Sequence, residues 1–208
     1  MNNTKEKILN TALRLFAQNG YEAVSVSNIA GELGITKGAL YKHYKNKKDI
    51  FDSIVERMYK TDAERSQKYN VPQDDYNSDP NAYKSTSLDS VKNFTFAQFK
   101  FWTEDEFASY FRRMCVLEQY RNAEIAELYV NCIGFGPVYY LKDIFGEMIK
   151  KGILKSGNSY SLAVEFYAPM YLFIDMYDHF PDKYKLTEML KDHIKNFLKK
   201  YIAEERLL

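Results

Sequence analysis

A short basic stretch, residues 35–51, concentrates the side chains with the clearest capacity for chemistry. It reads ITKGALYKHYKNKKDIF and holds five lysines, one histidine and two tyrosines in seventeen positions. Lysine ammonium groups pair with phosphates, and hydroxyl and imidazole groups donate hydrogen bonds to phosphate oxygens. These residue types therefore indicate binding to a phosphate polyanion.

Charge is unevenly distributed along the 208 residues. The formal net charge is +1, but residues 1–48 hold eight Lys or Arg against three Asp or Glu, a net charge of +5. The remaining residues hold 21 basic and 25 acidic side chains, a net charge of −4. A basic head on a mildly acidic body favours contact between the head and a polyanion.

The overall composition limits the class of protein. Hydrophobic residues make up 46% and aromatic residues 16%, enough for a sizeable core. No apolar run approaches the roughly 20 residues that span a bilayer, and the N-terminus, MNNTKEKILN, lacks a signal-peptide core. Cys115 and Cys132 have neither zinc-finger nor thioredoxin spacing. We therefore expect a cytoplasmic protein with free thiols and no membrane partner.

Three predicted helices position the basic stretch. Apolar residues at helical spacing over 8–16 predict a first helix, which Gly20 ends. Ser25 is a plausible N-cap for a short second helix that stops at Gly34, and Thr36 can cap a third helix. Two short helices joined by a tight glycine turn and backed by a longer helix are the arrangement of a helix-turn-helix.

The third helix has the features of a helix that enters the major groove of DNA. Gly38, in its first turn, removes a side chain where the backbone would approach DNA, at a cost of about 1 kcal/mol in helix propensity. Leu40 and Tyr44 are four residues apart and are expected to face inward. The alternative is that the lysines form a solvated face and the tyrosines are core. The side chains expected to contact phosphates are Thr36, Lys37, Tyr41, His43 and Lys47.

The rest of the chain is also helical in period, so the fold class is all-α. A fourth helix is expected from about residue 46 to 69, and the stretch 70–87 is interpreted as a loop. Gly134, Gly136 and Pro137 could kink or split one of the later helices. The later helices are expected over about 88–101, 104–120, 122–151, 159–178 and 186–204.

Residues 8–51 resemble the DNA-binding domain of the TetR family of transcriptional regulators. The matching string is ILNTALRLFAQNGYEAVSVSNIAGELGITKGALYKHYKNKKDIF, dense and ungapped, with Tyr44 where the family usually has phenylalanine. The resemblance covers about a quarter of the chain. It implies a homodimeric DNA-binding protein, commonly a repressor, whose C-terminal helices bind a small effector. By position it implies phosphate or base contacts at Ser25, Thr36, Lys37, Gly38, Tyr41, Lys42, His43 and Lys47.

We accordingly expect a helix-turn-helix DNA-binding domain over 1–48 and a helical bundle for effector binding and dimerisation over 49–208. The stretch 94–114 holds eight aromatic residues, which ordinary core packing could also explain. The functional interpretation is a pocket for a flat apolar or aromatic effector, or for a cation held by aromatic faces. Its expected wall is Phe99, Trp102, Tyr110, Met114, Tyr129, Phe135 and Tyr139.

The last two helices are the hypothesised dimer seam, although core packing within one chain accounts for some of the same positions. The first carries an apolar series at helical spacing, and so does the second. The series are Phe166, Met170, Phe173, Ile174 and Tyr177, and Leu190, Ile194, Phe197, Leu198 and Tyr201.

Enzyme and metal functions have little support in the sequence. Asp175 and His179 are four residues apart, but no further ligand cluster converges on them, and no Gly-rich phosphate loop exists. We expect no catalytic residue, metal or cofactor. The predicted function is a DNA-binding regulator, a repressor released from its operator by a small molecule. The alternative is an architectural DNA-binding protein without ligand control, which would not need an aromatic-rich body.

Overall fold

The computed structural model describes residues 2–203, with side chains from residue 4 onward. This part of the chain is helical, with no strand and a single β-bridge between Leu154 and Ile202. The predicted all-α class is confirmed. The helices are α1 (Asn2–Asn19), α2 (Val26–Glu32), α3 (Lys37–Tyr41), α4 (Lys47–Lys68), α5 (Pro80–Ser85), α6 (Leu88–Glu104), α7 (Glu106–Glu118), α8 (Ala123–Cys132), α9 (Gly136–Lys150), α10 (Ser159–Met176) and α11 (Lys183–Tyr201).

Side-chain caps explain where most of these helices begin. In each case an oxygen of the N-cap side chain accepts the backbone N–H three residues later, which satisfies one of the free N–H groups of the first turn. The predicted caps Ser25 and Thr36 are confirmed at α2 and α3. The N-caps with this bond are Ser25, Thr36, Asp79, Asp105, Asn158 and Asp182.

The described residues fall into two compact units. Unit 1 holds residues 2–64 and 104–129, and unit 2 holds residues 65–103 and 130–203. Three helices, α4, α6 and α8, contribute residues to both units. The helix-turn-helix therefore belongs to a larger unit that also contains α7, and the predicted division at residue 48 remains a prediction about function.

Unit 1 is built on the packing of α1 against α7. Phe16, Phe51 and Phe111 are fully buried, and the Tyr21 ring lies 5.1 Å from Phe16 and 5.0 Å from Phe51, centroid to centroid. Gly20 ends α1 with a φ of 87°, so the predicted C-cap is confirmed. A Cβ at Gly20 would lie 2.2 Å from an oxygen of the Glu118 carboxylate, which leaves no room for a side chain there.

Unit 2 is built on the packing of α10 against α9 and α11. Its centre is a cluster of three phenylalanine rings, one from each helix: Phe166 lies 5.4 Å from Phe145 and 4.9 Å from Phe197. Much of the predicted dimer seam is wrong, because its residues fill this core instead. The buried members are Phe166, Met170, Phe173, Ile174, Leu190, Ile194 and Phe197.

Two features of the body differ from the sequence-based expectation. The predicted loop contains α5, which Asp79 caps and Pro80 begins. The Tyr83 hydroxyl donates to the Asp74 carbonyl at 2.9 Å, and Tyr140 donates to the Pro72 carbonyl at 2.9 Å, so this segment is fastened to unit 2. The predicted helix over 122–151 is split between Cys132 and Gly136, as its glycines and proline allowed.

The ends of the other helices agree with the predictions to within a few residues. The predicted end at residue 204 lies outside the described residues. Over residues 2–203, no helix has both the length and the apolar character needed to cross a membrane.

Candidate nucleic-acid interface

Helix α3 has one buried face and one exposed face. Leu40 and Tyr44 are buried, and the Tyr44 hydroxyl donates to the Lys5 carbonyl of α1 at 3.4 Å. Burial raises the pKa of Tyr44 to about 12, so its hydroxyl stays protonated at neutral pH. The inward orientation expected for Leu40 and Tyr44 is confirmed, and their packing fixes which face of α3 remains accessible.

The exposed face of α3 carries most of the predicted DNA contacts. Thr36, Lys37, Gly38, Tyr41 and Lys42 are exposed together. The face therefore combines two ammonium groups and two hydroxyls around a glycine, a set of donors suited to phosphate oxygens. His43, the next residue, is half-buried.

Gly38 is not required by the fold. A Cβ at this position would meet only the Thr36 hydroxyl, at 3.9 Å. An alanine would fit, and it would stabilise the helix by about 0.5–1 kcal/mol relative to glycine. The glycine thus leaves an open gap in the exposed face, where an approaching backbone or phosphate would meet no side chain.

Helix α2 and its turn hold α3 in place. Ser25 and Asn28 form a reciprocal cap: the Ser25 hydroxyl accepts the Asn28 N–H at 3.2 Å, and Asn28 accepts the Ser25 N–H at 2.8 Å. Gly34 has a φ of 64°, and the Ile35 N–H donates to the Ala30 carbonyl at 3.0 Å, which closes the turn into α3. Ser25 is exposed at the start of α2, so its hydroxyl can cap the helix and still lie at the surface.

The structure gives Lys47 partners that the sequence did not indicate. Its Nζ donates to the Tyr21 carbonyl at 2.9 Å and to the Glu22 carbonyl at 3.4 Å. It also lies 4.2 Å from the centroid of the Tyr21 ring. Lys47 therefore stabilises the junction between α1 and α4, and a phosphate contact from it remains a prediction.

Two neighbouring lysines were not among the predicted contacts. Lys45 is exposed directly after α3, and its backbone N–H donates to the Asp49 carboxylate at 2.7 Å. The dense run of lysines over 35–51 was the available signal for it. Lys48 is paired with Asp52 and, at 2.9 Å, with Glu124; the hydrogen bonds to Asp52 and Glu124 raise its pKa.

Comparison with known proteins separates the head from the rest of the chain. The family described as "Bacterial regulatory proteins, tetR family" matches residues 8–54. Through these residues, the chain belongs to the TetR family.

The curated relatives agree with this TetR-family head and go little beyond it. The HTH-type transcriptional regulator AcrR of Shigella flexneri is 47% identical over 53 residues, 26% of this chain and 25% of AcrR. The biofilm operon icaADBC HTH-type negative transcriptional regulator IcaR of Staphylococcus epidermidis is 36% identical over 55 residues, 26% of this chain and 30% of IcaR. The chain therefore matches less than a third of the length of either relative.

Solved structures extend the likeness to the fold of the whole TetR-family chain. The complex of SmeT with triclosan aligns with a TM-score of 0.71 and 19% identity, over 98% of this chain and 93% of SmeT. SmeT is the repressor of the Stenotrophomonas maltophilia multidrug efflux pump SmeDEF. This likeness shows a shared all-α fold with an N-terminal helix-turn-helix and a C-terminal helical domain.

The predicted effector-pocket residues are divided between the two units of this TetR-family chain. Tyr110, Met114 and Tyr129 belong to unit 1, and the other four belong to unit 2.

Within unit 2, Phe99 and Trp102 are buried, and the Trp102 ring lies 5.4 Å from Phe101. Phe135 and Tyr139 are each 52% exposed, and their rings are 6.2 Å apart. Neither unit holds all seven residues, so the pocket wall stays a prediction.

Proposed function

We propose that this protein is a DNA-binding transcriptional regulator that contacts operator DNA through the exposed face of α3. The observation that carries the proposal is the open gap at Gly38, which lies between exposed Lys37, Tyr41 and Lys42 while Leu40 fixes the opposite face in the core. The match of residues 8–54 to the TetR family supports the same assignment. The α3 face supplies phosphate donors at the rim of the groove and lets the backbone approach its floor.

Selection of binding sites from DNA with a random core tests this proposal. The full-length protein is expected to enrich a palindrome, with half-sites one helical turn or a multiple of it apart. Fluorescence anisotropy should then show tighter binding to the selected duplex than to a scrambled duplex of the same length and composition. Equal affinity for both, or no enriched motif, would contradict a sequence-specific regulator and favour non-specific DNA coating.

We further propose that the protein acts as a homodimer, because a palindrome needs two heads. Helix α10 carries an exposed apolar stripe at four-residue spacing: Val164, Ala168, Leu172 and Met176. Leu172 is 54% exposed, and Met176 is 40% exposed. The i, i+4 spacing of this stripe forms a ridge that can pack against the same ridge of a second copy across a two-fold axis. This stripe replaces the buried residues first expected in the seam.

Repression with release by a small molecule is the proposed mode of regulation. SmeT, which shares the fold, is a repressor with a triclosan complex, and IcaR is a negative regulator. In this chain the aromatic residues of unit 2 are the proposed source of a site for an apolar or aromatic effector. An effector that binds better to the form with poorly spaced heads would lower operator affinity, and a coupling of about 1–3 kcal/mol gives a roughly 5- to 150-fold effect.

Trp102 provides the test of this regulation, since it is the single tryptophan of the sequence and lies in unit 2. Triclosan can serve as the first probe, with fluorescence titrations in the absence and presence of the selected duplex. By linkage, the duplex should weaken triclosan binding by the same factor by which triclosan weakens duplex binding. Binding that quenches Trp102 equally with and without DNA would contradict ligand control of DNA binding.

A further inference from the structure

A cavity of about 350 Å³ opens within unit 1, between α1, Arg57 of α4 and the start of α7. Small-molecule sites in proteins typically have volumes of about 300–1,000 Å³. Two aromatic side chains, Phe107 and Tyr110, form part of the wall, and four charged residues surround them. The cavity is therefore large enough for a small organic molecule and offers it both ring faces and charge.

Both cations of the wall already have partners. Arg14 forms an ion pair with Glu32, and Arg57 forms an ion pair with Glu6. The Arg57 guanidinium also lies over the Phe107 ring, 4.4 Å from its centroid. An anionic ligand would have to displace these acids, so the arginines favour an anion only weakly.

The two acids of the wall, Asp105 and Glu106, are less occupied. The Glu106 carboxylate has no hydrogen bond or ion pair within residues 2–203. Asp105 uses Oδ1 to accept the Ala108 N–H at 2.9 Å, which leaves its other oxygen for a ligand. Both side chains are exposed at the start of α7.

The balance of charge decides the ligand class. Counting the partner acids, the cavity and its first neighbours hold two cations, Arg14 and Arg57, against four carboxylates, a net charge of −2. The N-terminus of α7 opposes this with about half a positive charge, which the carboxylates outweigh. The electrostatic preference is therefore for a cation.

We propose that this cavity binds a small aromatic cation, of the amidinium or primary ammonium type. The carboxylates of Asp105 and Glu106 accept its N–H groups, and an amidinium can donate two parallel hydrogen bonds to one carboxylate. The aromatic body lies against Phe107 and Tyr110, and the cation gains further from their ring faces. The site lies in the unit that contains the helix-turn-helix and does not depend on the function proposed above.

Benzamidine is a suitable probe, because neutral benzamide and anionic benzoate have nearly the same shape. Titration of the ¹⁵N-labelled full-length protein without DNA should give saturable amide shifts for benzamidine. The shifts should be concentrated over residues 10–14, at Arg57 and over 105–110. Benzamide and benzoate should bind at least about tenfold more weakly, since neither can pair its charge with the carboxylates. Equal binding of the three probes, or benzamidine shifts absent from these residues, would overturn the proposal.

A charge-removing double variant, Asp105→Asn with Glu106→Gln, provides the second test. Asparagine is as good an N-cap as aspartate, so α7 should keep its start and the thermal midpoint should be nearly unchanged. Benzamidine affinity should fall about tenfold or more. The matched control is Glu104→Gln, an exposed acid outside the cavity wall, with a change of less than about twofold. Benzamidine binding by the folded double variant at wild-type affinity would contradict the site.

Discussion

Helix α3 in unit 1 and the aromatic helices of unit 2 are both conspicuous in sequence, but their side chains have different environments. On α3, the conspicuous residues Lys37, Tyr41 and Lys42 are exposed, and Gly38 has open space in front of it. In unit 2, the conspicuous rings are largely buried against each other, as in the cluster around Phe166. An unusual composition therefore indicates binding only where the fold leaves the side chains accessible. Where they are buried, it indicates the core.

The largest effect should come from the buried side of this comparison. Phe166→Ala removes the ring that joins α9, α10 and α11, and the free energy of unfolding should fall by about 3–5 kcal/mol. Tyr139→Ala, at a 52% exposed ring of the same unit, should cost less than about 0.5 kcal/mol. Urea unfolding at one protein concentration measures both. A larger loss for Tyr139→Ala would reverse the assignment of core and surface in unit 2.

The next effect concerns an exposed apolar residue of unit 2. Leu172→Glu places a charge in the proposed dimer stripe of both copies, and self-association should weaken about hundredfold. Leu117→Glu in α7 is the control, because Leu117 is 45% exposed but lies in unit 1. Sedimentation at several concentrations distinguishes the two. A dimer that survives Leu172→Glu but not Leu117→Glu would place the interface elsewhere.

The smallest effect separates two lysines of the head. Lys47→Ala loses the Tyr21 and Glu22 carbonyl contacts and should lower the free energy of unfolding by about 1 kcal/mol. Lys37→Ala should leave stability unchanged but reduce the slope of log affinity against log salt by about 0.9, one phosphate contact. DNA titrations at several salt concentrations, with thermal unfolding, test both. The distinction fails if Lys37→Ala destabilises the head or leaves the salt slope unaltered.

Local signals in the sequence predicted the head well. The caps Ser25 and Thr36 and the turns at Gly20 and Gly34 each depend on neighbours within a few residues, so their spacing alone located α2 and α3. The same kind of signal was available for α5 in Asp79 and Pro80, but the scarcity of aliphatic residues around them favoured a loop.

Tertiary packing limited the rest of the prediction. Helical spacing identified an apolar face on α10, but not whether that face meets α9 and α11 or a second copy. The exposed stripe through Leu172 lies on the opposite side from the buried Phe166 and Phe173. The carbonyl partners of Lys47 and the cavity beside Arg57 also depend on segments that are distant in sequence.

The most direct test of DNA binding through α3 compares two exposed helix glycines. Gly31 of α2 and Gly38 of α3 both have room for a larger side chain, since a Cβ at Gly31 meets nothing within 4 Å and a Cβ at Gly38 meets only Thr36. Valine at either position should therefore leave the circular dichroism spectrum and the thermal midpoint nearly unchanged.

The affinity of each variant for the selected operator duplex is then measured by fluorescence anisotropy. Gly38→Val should weaken binding about hundredfold, because both heads of the dimer are held away from the groove. Gly31→Val should stay within about threefold of the wild-type affinity. A folded Gly38→Val protein that binds the operator as tightly as the wild type would contradict the assignment of the α3 face as the DNA-binding surface.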